Sequence, residues 1–129
     1  LLASLGEAAK NKIRIIGEVT TAQLAALYTD ASAFCYPSLL EGFGLPVLEA
    51  MSYNTPVVTS KGTATEEVAG DAALMVDPAS VDEVSDALDF LLTSESEAQK
   101  LADRGYQRSK TFSWDATAAA TVDVYRKLT

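Results

Sequence analysis

Four short, almost wholly apolar runs constrain this chain more than any other feature. They are Ile13-Arg14-Ile15-Ile16-Gly17, Ala33-Phe34-Cys35-Tyr36, Pro56-Val57-Val58-Thr59 and Ala73-Leu74-Met75-Val76, shut off at Gly17, Pro37, Ser60 and Asp77. A strand with one face in water would alternate polar and apolar residues, so runs apolar on both faces predict strands covered on both sides. Helical patterns fill the intervals. Thr20 or Thr21 offers an N-cap to a helix over Ala22 to Asp30, with Leu24, Leu27 and Tyr28 on one face. A second helix runs from about Leu45 to Tyr53, with Pro46 in a first turn where a missing N–H costs nothing. A short helix passes through Glu66 to Ala69. Ser80 with Glu83 fits a capping box ahead of a stripe of Val81, Val84, Leu88, Leu91 and Leu92. Two more helices, about 96–111 and 114–128, complete an α/β pattern: a doubly wound parallel sheet of about four strands with flanking helices. Such sheets bind ligands outside the carboxyl ends of their strands, so the loops after Gly17, Tyr36, Thr59 and Val76 are the places to look.

Length and charge narrow the classes. At 129 residues there is room for one core. Ten Lys and Arg against 18 Asp and Glu give a net charge of −8, the wrong sign for gripping a phosphate backbone, so no nucleic-acid partner is expected. The chain has no histidine, which excludes Ser-His-Asp and Cys-His catalysis within it and the commonest zinc ligand. Its single cysteine, Cys35, lies in an apolar run, reads as a small buried hydrophobe and predicts a reducing compartment. No apolar run approaches the roughly 20 residues that span a bilayer. Leu1-Leu2-Ala3 has neither the basic start nor the cleavage site of a signal peptide, and the absence of an initiator Met suggests a fragment.

The informative loop is Glu41-Gly42-Phe43-Gly44-Leu45-Pro46-Val47-Leu48-Glu49. Gly42 and Gly44 let the backbone approach a ligand, and the Gly44 and Leu45 amides face outward from a helix N-terminus, a setting that favours phosphate. Glu41 lies in the loop and Glu49 about one turn into the helix. A carboxylate accepts two hydroxyl protons side by side, which suits the vicinal diols of a ribose or hexose. On spacing alone, however, two glutamates eight residues apart fit solvated charges on an ordinary helix start better than they fit a site.

The motifs around this loop carry a resemblance. The chain reads Tyr36-Pro37-Ser38-Leu39-Leu40-Glu41-Gly42-Phe43-Gly44-Leu45-Pro46-Val47-Leu48-Glu49-Ala50-Met51, then Thr55-Pro56-Val57-Val58, Glu67-Val68-Ala69-Gly70-Asp71-Ala72-Ala73-Leu74, Val76-Asp77-Pro78 and Phe112-Ser113-Trp114. This resembles the C-terminal, donor-binding half of the retaining nucleotide-sugar glycosyltransferases of the GT-B fold, the group often called glycosyl transferases group 1. The resemblance implies a Rossmann-like sheet truncated at its N-terminal side, with residues 1–129 a partial nucleotide-sugar-binding domain. It implies that Glu41 is the first acid of a paired-glutamate motif, contacting the transferred sugar near the reacting carbon. Gly42, Phe43, Gly44 and Leu45 belong to the segment whose amides meet sugar and diphosphate. Glu49 is the second acid, on the ribose hydroxyls, and Val19, in Gly17-Glu18-Val19-Thr20, is the position that meets the base. Two residues depart from the pattern: Asn54 where glycine is usual and Glu66 where proline is common.

The same resemblance implies a nucleotide diphosphate sugar as donor, no obligatory metal or cofactor, and transfer to an acceptor hydroxyl with retention of configuration. It also implies absent parts: two strands with the Arg and Lys for the diphosphate, and an N-terminal acceptor domain. Lys10, Lys12 and Arg14 lie too close to the first strand to replace those cations and read as solvated charges. The chain alone is then expected to be inactive, and weakly stable or self-associated through unpaired strand edges. The last helix, with Trp114, Val122, Tyr125 and Leu128 on a stripe, either packs on this domain or faces the absent one. The resemblance places the enzyme in the cytoplasm, with any peripheral membrane contact through the absent domain. Other classes remain in view at this point: a non-catalytic sugar-nucleotide binder, a receiver-like regulatory module, and a glycosidase using Glu41 and Glu49. A receiver needs an acidic cluster after its first strand, and a glycosidase needs both carboxyls flanking one bond; neither fits as well.

Overall fold

A computed structural model describes residues 6–128; the Leu1-Leu2-Ala3 reading lies outside the described residues. The elements in chain order are α1 (Glu7–Lys10), α2 (Thr21–Asp30), β1 (Phe34–Tyr36), α3 (Leu45–Ser52), β2 (Val57–Ser60), α4 (Ala64–Ala69), β3 (Leu74–Val76), α5 (Val81–Thr93), α6 (Glu95–Ser109) and α7 (Trp114–Leu128). The sheet has three parallel strands in the order β1-β2-β3. The fold is the α/β class expected from the alternation of apolar runs and helices, with one strand fewer than the sequence pattern suggests.

The difference lies at Ile13–Gly17. This segment takes no regular secondary structure and pairs with no described strand, Gly17 has φ 65°, and Ile13, Ile15 and Ile16 are exposed. A run of β-branched residues becomes a strand only when a neighbour takes its ladder hydrogen bonds, and no described strand lies beside this one.

In the paired strands the side chains alternate between two covered faces. Phe34, Tyr36, Val57 and Met75 join a core with Tyr28 of α2, Val47 and Met51 of α3, and Val68 of α4. Cys35, Val58, Leu74 and Val76 join a second core with Leu88 and Leu91 of α5 and Leu101 of α6. The centre is therefore β2, whose four residues are all buried. Cys35 packs as the small apolar side chain expected, half-buried rather than sealed, and burial raises its thiol pKa. Helix α6 reaches both layers: Gly105 sits so close to α3 that an added Cβ would lie 3.0 Å from Met51 Cγ.

The caps show how local sequence sets the element ends. Thr20 caps α2 with a full capping box, its hydroxyl accepting from Gln23 N while the Gln23 side chain receives the Thr20 amide. Ser80 caps α5 in only half of that way. Its hydroxyl accepts from Glu83 N, but the Glu83 carboxylate turns to the Asp77 amide at 2.7 Å and to Lys61. The Asp77 amide, followed by Lys61, holds the Glu83 pKa below the usual value. Asp77 itself closes a turn, accepting from Ala79 N. Asn54 adopts φ 59°, a left-handed conformation that asparagine tolerates where the family pattern has glycine.

Two stripes are covered less than their periodicity suggests. Val84, Leu88 and Leu91 of α5 pack inward, but Val81 and Leu92 at the stripe's edges are exposed. None of the residues of α7 is buried, and Trp114 is 78% exposed. Of the two placements open to this helix, it does not bury its stripe on this domain.

Candidate functional site

The segment that joins β1 to α3 lies at the carboxyl end of the sheet, where the fold type gathers its ligand loops. Several hydrogen bonds fix it. Thr59 Oγ1 donates to Tyr36 O at 3.0 Å, and the Ser38 amide donates to Ser60 Oγ at 2.6 Å, tying the loop after β1 to the end of β2. Thr65, fully buried, donates to Ser60 O and shares a hydrogen bond with Thr63 Oγ1. Glu66, the residue that replaces a common proline, accepts from Gly62 N at 2.6 Å and closes the adjoining loop.

Gly44 is the pivot. It is the N-cap of α3 with φ +100°, and its Cα lies against Thr65 so closely that a Cβ would meet Thr65 Cγ2 at 2.7 Å. No described side chain caps this helix end, and Pro46 in its first turn brings no N–H. The end presents backbone amides beside an open loop, an arrangement that attracts anions. Phe43 stands edge-on to Phe112 at 6.0 Å, and Arg108 lies 5.1 Å above the Phe112 ring while donating to Val68 O and Glu67 O. Phe43, Leu45, Leu48, Phe112 and Trp114 line an apolar hollow of about 330 Å³.

The two glutamates are each held by a tyrosine. Tyr36 donates its hydroxyl to Glu41 Oε2 at 2.8 Å, and Glu41 Oε1 receives the Gly42 amide at 3.2 Å. Tyr28 donates to Glu49 Oε2 at 3.3 Å. Glu41 is half-buried and Glu49 exposed. Glu41, Gly42, Phe43, Gly44 and Leu45 thus form one continuous edge around the start of α3, with Glu49 a turn farther along it. Val19 stands elsewhere, lining a separate open cavity of about 600 Å³ with Ile16, Glu18, Gln23 and Leu27. Among the described residues no group of three His, Cys, Asp or Glu side chains converges to hold a metal. No helix of the described residues is long and apolar enough to cross a membrane.

Burial, then the neighbouring Glu49 carboxylate, push the Tyr28 phenol up from 10.0 to about 12. The folded chain therefore holds this proton more tightly than the unfolded chain does. The contribution is whole below pH 10.0 and is lost as the pH rises toward about 12. Thermal melts across that range should show wild type losing its advantage over Tyr28→Phe. Parallel profiles for the two proteins would refute the assignment.

The sequence alone did not single out Tyr28 as part of this site, it marked Ser60 and Thr65 only as the bounds of a loop that could reach donor phosphate or acceptor, and it included Tyr36 only as the end of a strand and the start of the motif. Tyr28 lies 21 residues before Glu49, so only the folded α2 and α3 bring them together. For Tyr36 the signal was a phenol five residues before an acid across a Pro-Ser turn.

The profile of the family described as Glycosyl transferases group 1 matches residues 3–108. The chain belongs to that family. Within the glycosyl transferases group 1, the O-antigen chain mannosyltransferase B of Escherichia coli is 43% identical over 116 residues, covering 90% of this chain and 30% of that protein. The MMP alpha-(1->4)-mannosyltransferase of Mycolicibacterium hassiacum is 47% identical over 109 residues, covering 81% and 26%. The chain thus spans less than a third of either relative. Among solved structures, sucrose-phosphate synthase from Thermosynechococcus elongatus superposes with a TM-score of 0.81 at 28% identity, covering 92% of this chain and 30% of that one. The C-terminal domain of a glycosyl transferase group 1 family protein from Francisella tularensis matches with a TM-score of 0.68 at 30% identity, covering 81% and 56%. The glycosyltransferase expectation drawn from the Glu41 to Glu49 motif is therefore correct at the level of family and fold.

Proposed function

We infer that this chain is the donor-binding part of a longer two-domain glycosyltransferase that moves a hexosyl group, of the mannosyl class, from a nucleotide diphosphate sugar to an acceptor hydroxyl. The observation that carries this reading is the pair Glu41 and Glu49 set on either side of the open, glycine-capped start of α3. That order suits a ligand with a sugar at one end, a diphosphate in the middle and a ribose at the other. The names of the relatives support a mannosyl group. In this reading Glu41 contacts the transferred sugar, the amides around Gly42, Phe43, Gly44 and Leu45 meet the diphosphate, Glu49 holds the ribose diol and Val19 meets the base. The enzyme acts in the cytoplasm with retention of configuration, with no obligatory metal or cofactor.

The protein's share of the chemistry is positioning and charge. The leaving diphosphate gains negative charge as its bond to the sugar breaks, and helix-start amides aimed at it are worth more in a water-excluded cleft than in solution. Cations and the acceptor come from outside this chain. By itself the chain is inactive, and its unpaired β1 edge favours self-association.

Titration of the full-length enzyme with UDP, GDP and ADP tests the reading. One nucleotide should bind well above the others, and Glu49→Ala should raise its Kd by about 10- to 100-fold, the cost of hydrogen bonds to a charged group. Equal affinity of wild type and variant would sink it.

A further inference from the structure

Four aromatic rings stand in a row along the β1 edge of the sheet. Tyr53 stacks on Tyr28 at 5.8 Å, Tyr28 meets Phe34 edge-on at 5.2 Å, and Phe34 stacks on Tyr36 at 5.8 Å. Such contacts fix ring positions beyond what apolar burial alone would do. The row is rooted in the core: Tyr28 is 6% exposed, its backbone carbonyl receives the Thr55 hydroxyl at 2.7 Å, and Phe34 and Tyr36 pack against the same cluster. The two tyrosines that flank Phe34 are the same two that donate to Glu49 and Glu41.

Neither glutamate needs a phenol for its own solvation, since Glu49 is exposed and Glu41 half-exposed to water. What each phenol supplies is order. A free glutamate side chain samples many rotamers, and freezing it on a ligand costs free energy that a pre-formed hydrogen bond has already met. In each pair the phenol occupies Oε2. A carboxylate has about four acceptor directions, so even on Glu41, where the Gly42 amide takes one more, directions remain for ligand hydroxyls.

We propose that Tyr28 and Tyr36 are positioning residues that aim Glu49 and Glu41 at the donor, and that Phe34 between them sets both phenols from one wall. This rests on the donor-site reading above. Each tyrosine acts through its own acid: Tyr28 through Glu49 on the nucleoside end, Tyr36 through Glu41 on the sugar end.

That division gives a test that general damage would not mimic. The full-length enzyme is titrated calorimetrically with whichever of UDP, GDP and ADP binds best, and with the mannosyl derivative of that nucleotide. Phenylalanine keeps both rings and their stacking, so Tyr28→Phe and Tyr36→Phe should melt within a few degrees of wild type. Tyr28→Phe is expected to weaken the bare nucleotide and its mannosyl derivative by the same factor, about three- to tenfold. Tyr36→Phe is expected to weaken only the mannosyl derivative. In a Glu49→Gln background, Tyr28→Phe should add less than about twofold, because the interaction it serves is already gone. Unchanged affinities in both phenylalanine variants, or equal loss of both ligands on Tyr36→Phe, would overturn the proposal. Glu49→Gln and Glu41→Gln are measured alongside. If they weaken binding and the phenylalanine variants do not, the positioning role alone falls; if the glutamine variants also bind as wild type, the donor site falls with it.

Discussion

Gly44→Ala is expected to destabilise the fold by about 2–4 kcal/mol and lower its melting temperature by about 10 °C, more than any other single methyl added to this site. Two separate costs combine. At φ +100° the backbone of residue 44 is in a region that side chains with a Cβ rarely adopt, worth about 1–2 kcal/mol. The new Cβ would also lie 2.7 Å from Thr65 Cγ2, well inside contact distance. Thr65 cannot simply rotate away, because it is fully buried and its hydroxyl is committed to Ser60 O and Thr63 Oγ1. The two costs separate on addition of Thr65→Ser, which removes Cγ2 and keeps the hydroxyl. The double variant should regain the part due to overlap, about 1–2 kcal/mol, and keep the part due to φ. A Gly44→Ala protein that melts with wild type would show that the start of α3 is not pinned in this way.

The sequence made the sheet and the loop legible for one reason: both are written in short, local patterns. Val57-Val58-Thr59 is apolar on both faces because β2 is covered on both faces, and α3 begins where Gly44 and Pro46 permit a helix to begin. Ile13–Gly17 has the same local pattern as β2 and is not a strand, since pairing depends on a neighbour that a run of isoleucines does not encode. Capping is similarly shared between local and distant partners. Ser80 caps as its spacing suggests, whereas Glu83 is drawn off by the Asp77 amide and by Lys61, 22 residues earlier. The stripe on α7 was legible as an apolar face, but periodicity reports only that a face is apolar and not what covers it. In the site, the acids and glycines were visible as a motif. Their tyrosine partners were not, because Tyr28 reads as one more apolar position on α2 until α3 is laid beside it.

Glu41→Gln in the full-length enzyme is expected to slow sugar transfer by about 10²- to 10³-fold while leaving the Kd of the bare nucleotide within about twofold of wild type. Local structure gives the variant little reason to collapse. The new carboxamide could keep its oxygen toward the Gly42 amide, now donor to Oε1 at 3.2 Å, and the Tyr36 hydroxyl could turn from donor to acceptor at its present 2.8 Å. What the substitution removes is the negative charge. In the donor-site reading that charge faces the carbon from which the diphosphate departs, where positive charge develops only as the bond breaks. The part of the interaction that grows on the way to the transition state appears in kcat, in addition to the sugar contact that Glu41 already makes in the bound mannosyl derivative and that the bare nucleotide lacks. Glu49 differs in kind, since a ribose hydroxyl has the same charge before and after transfer, so Glu49→Ala should act on Kd and donor KM. The contrast between the two acids is the sharper measurement. A Glu41→Gln enzyme with kcat within about threefold of wild type would remove Glu41 from the reacting end of the site, whatever Glu49 does.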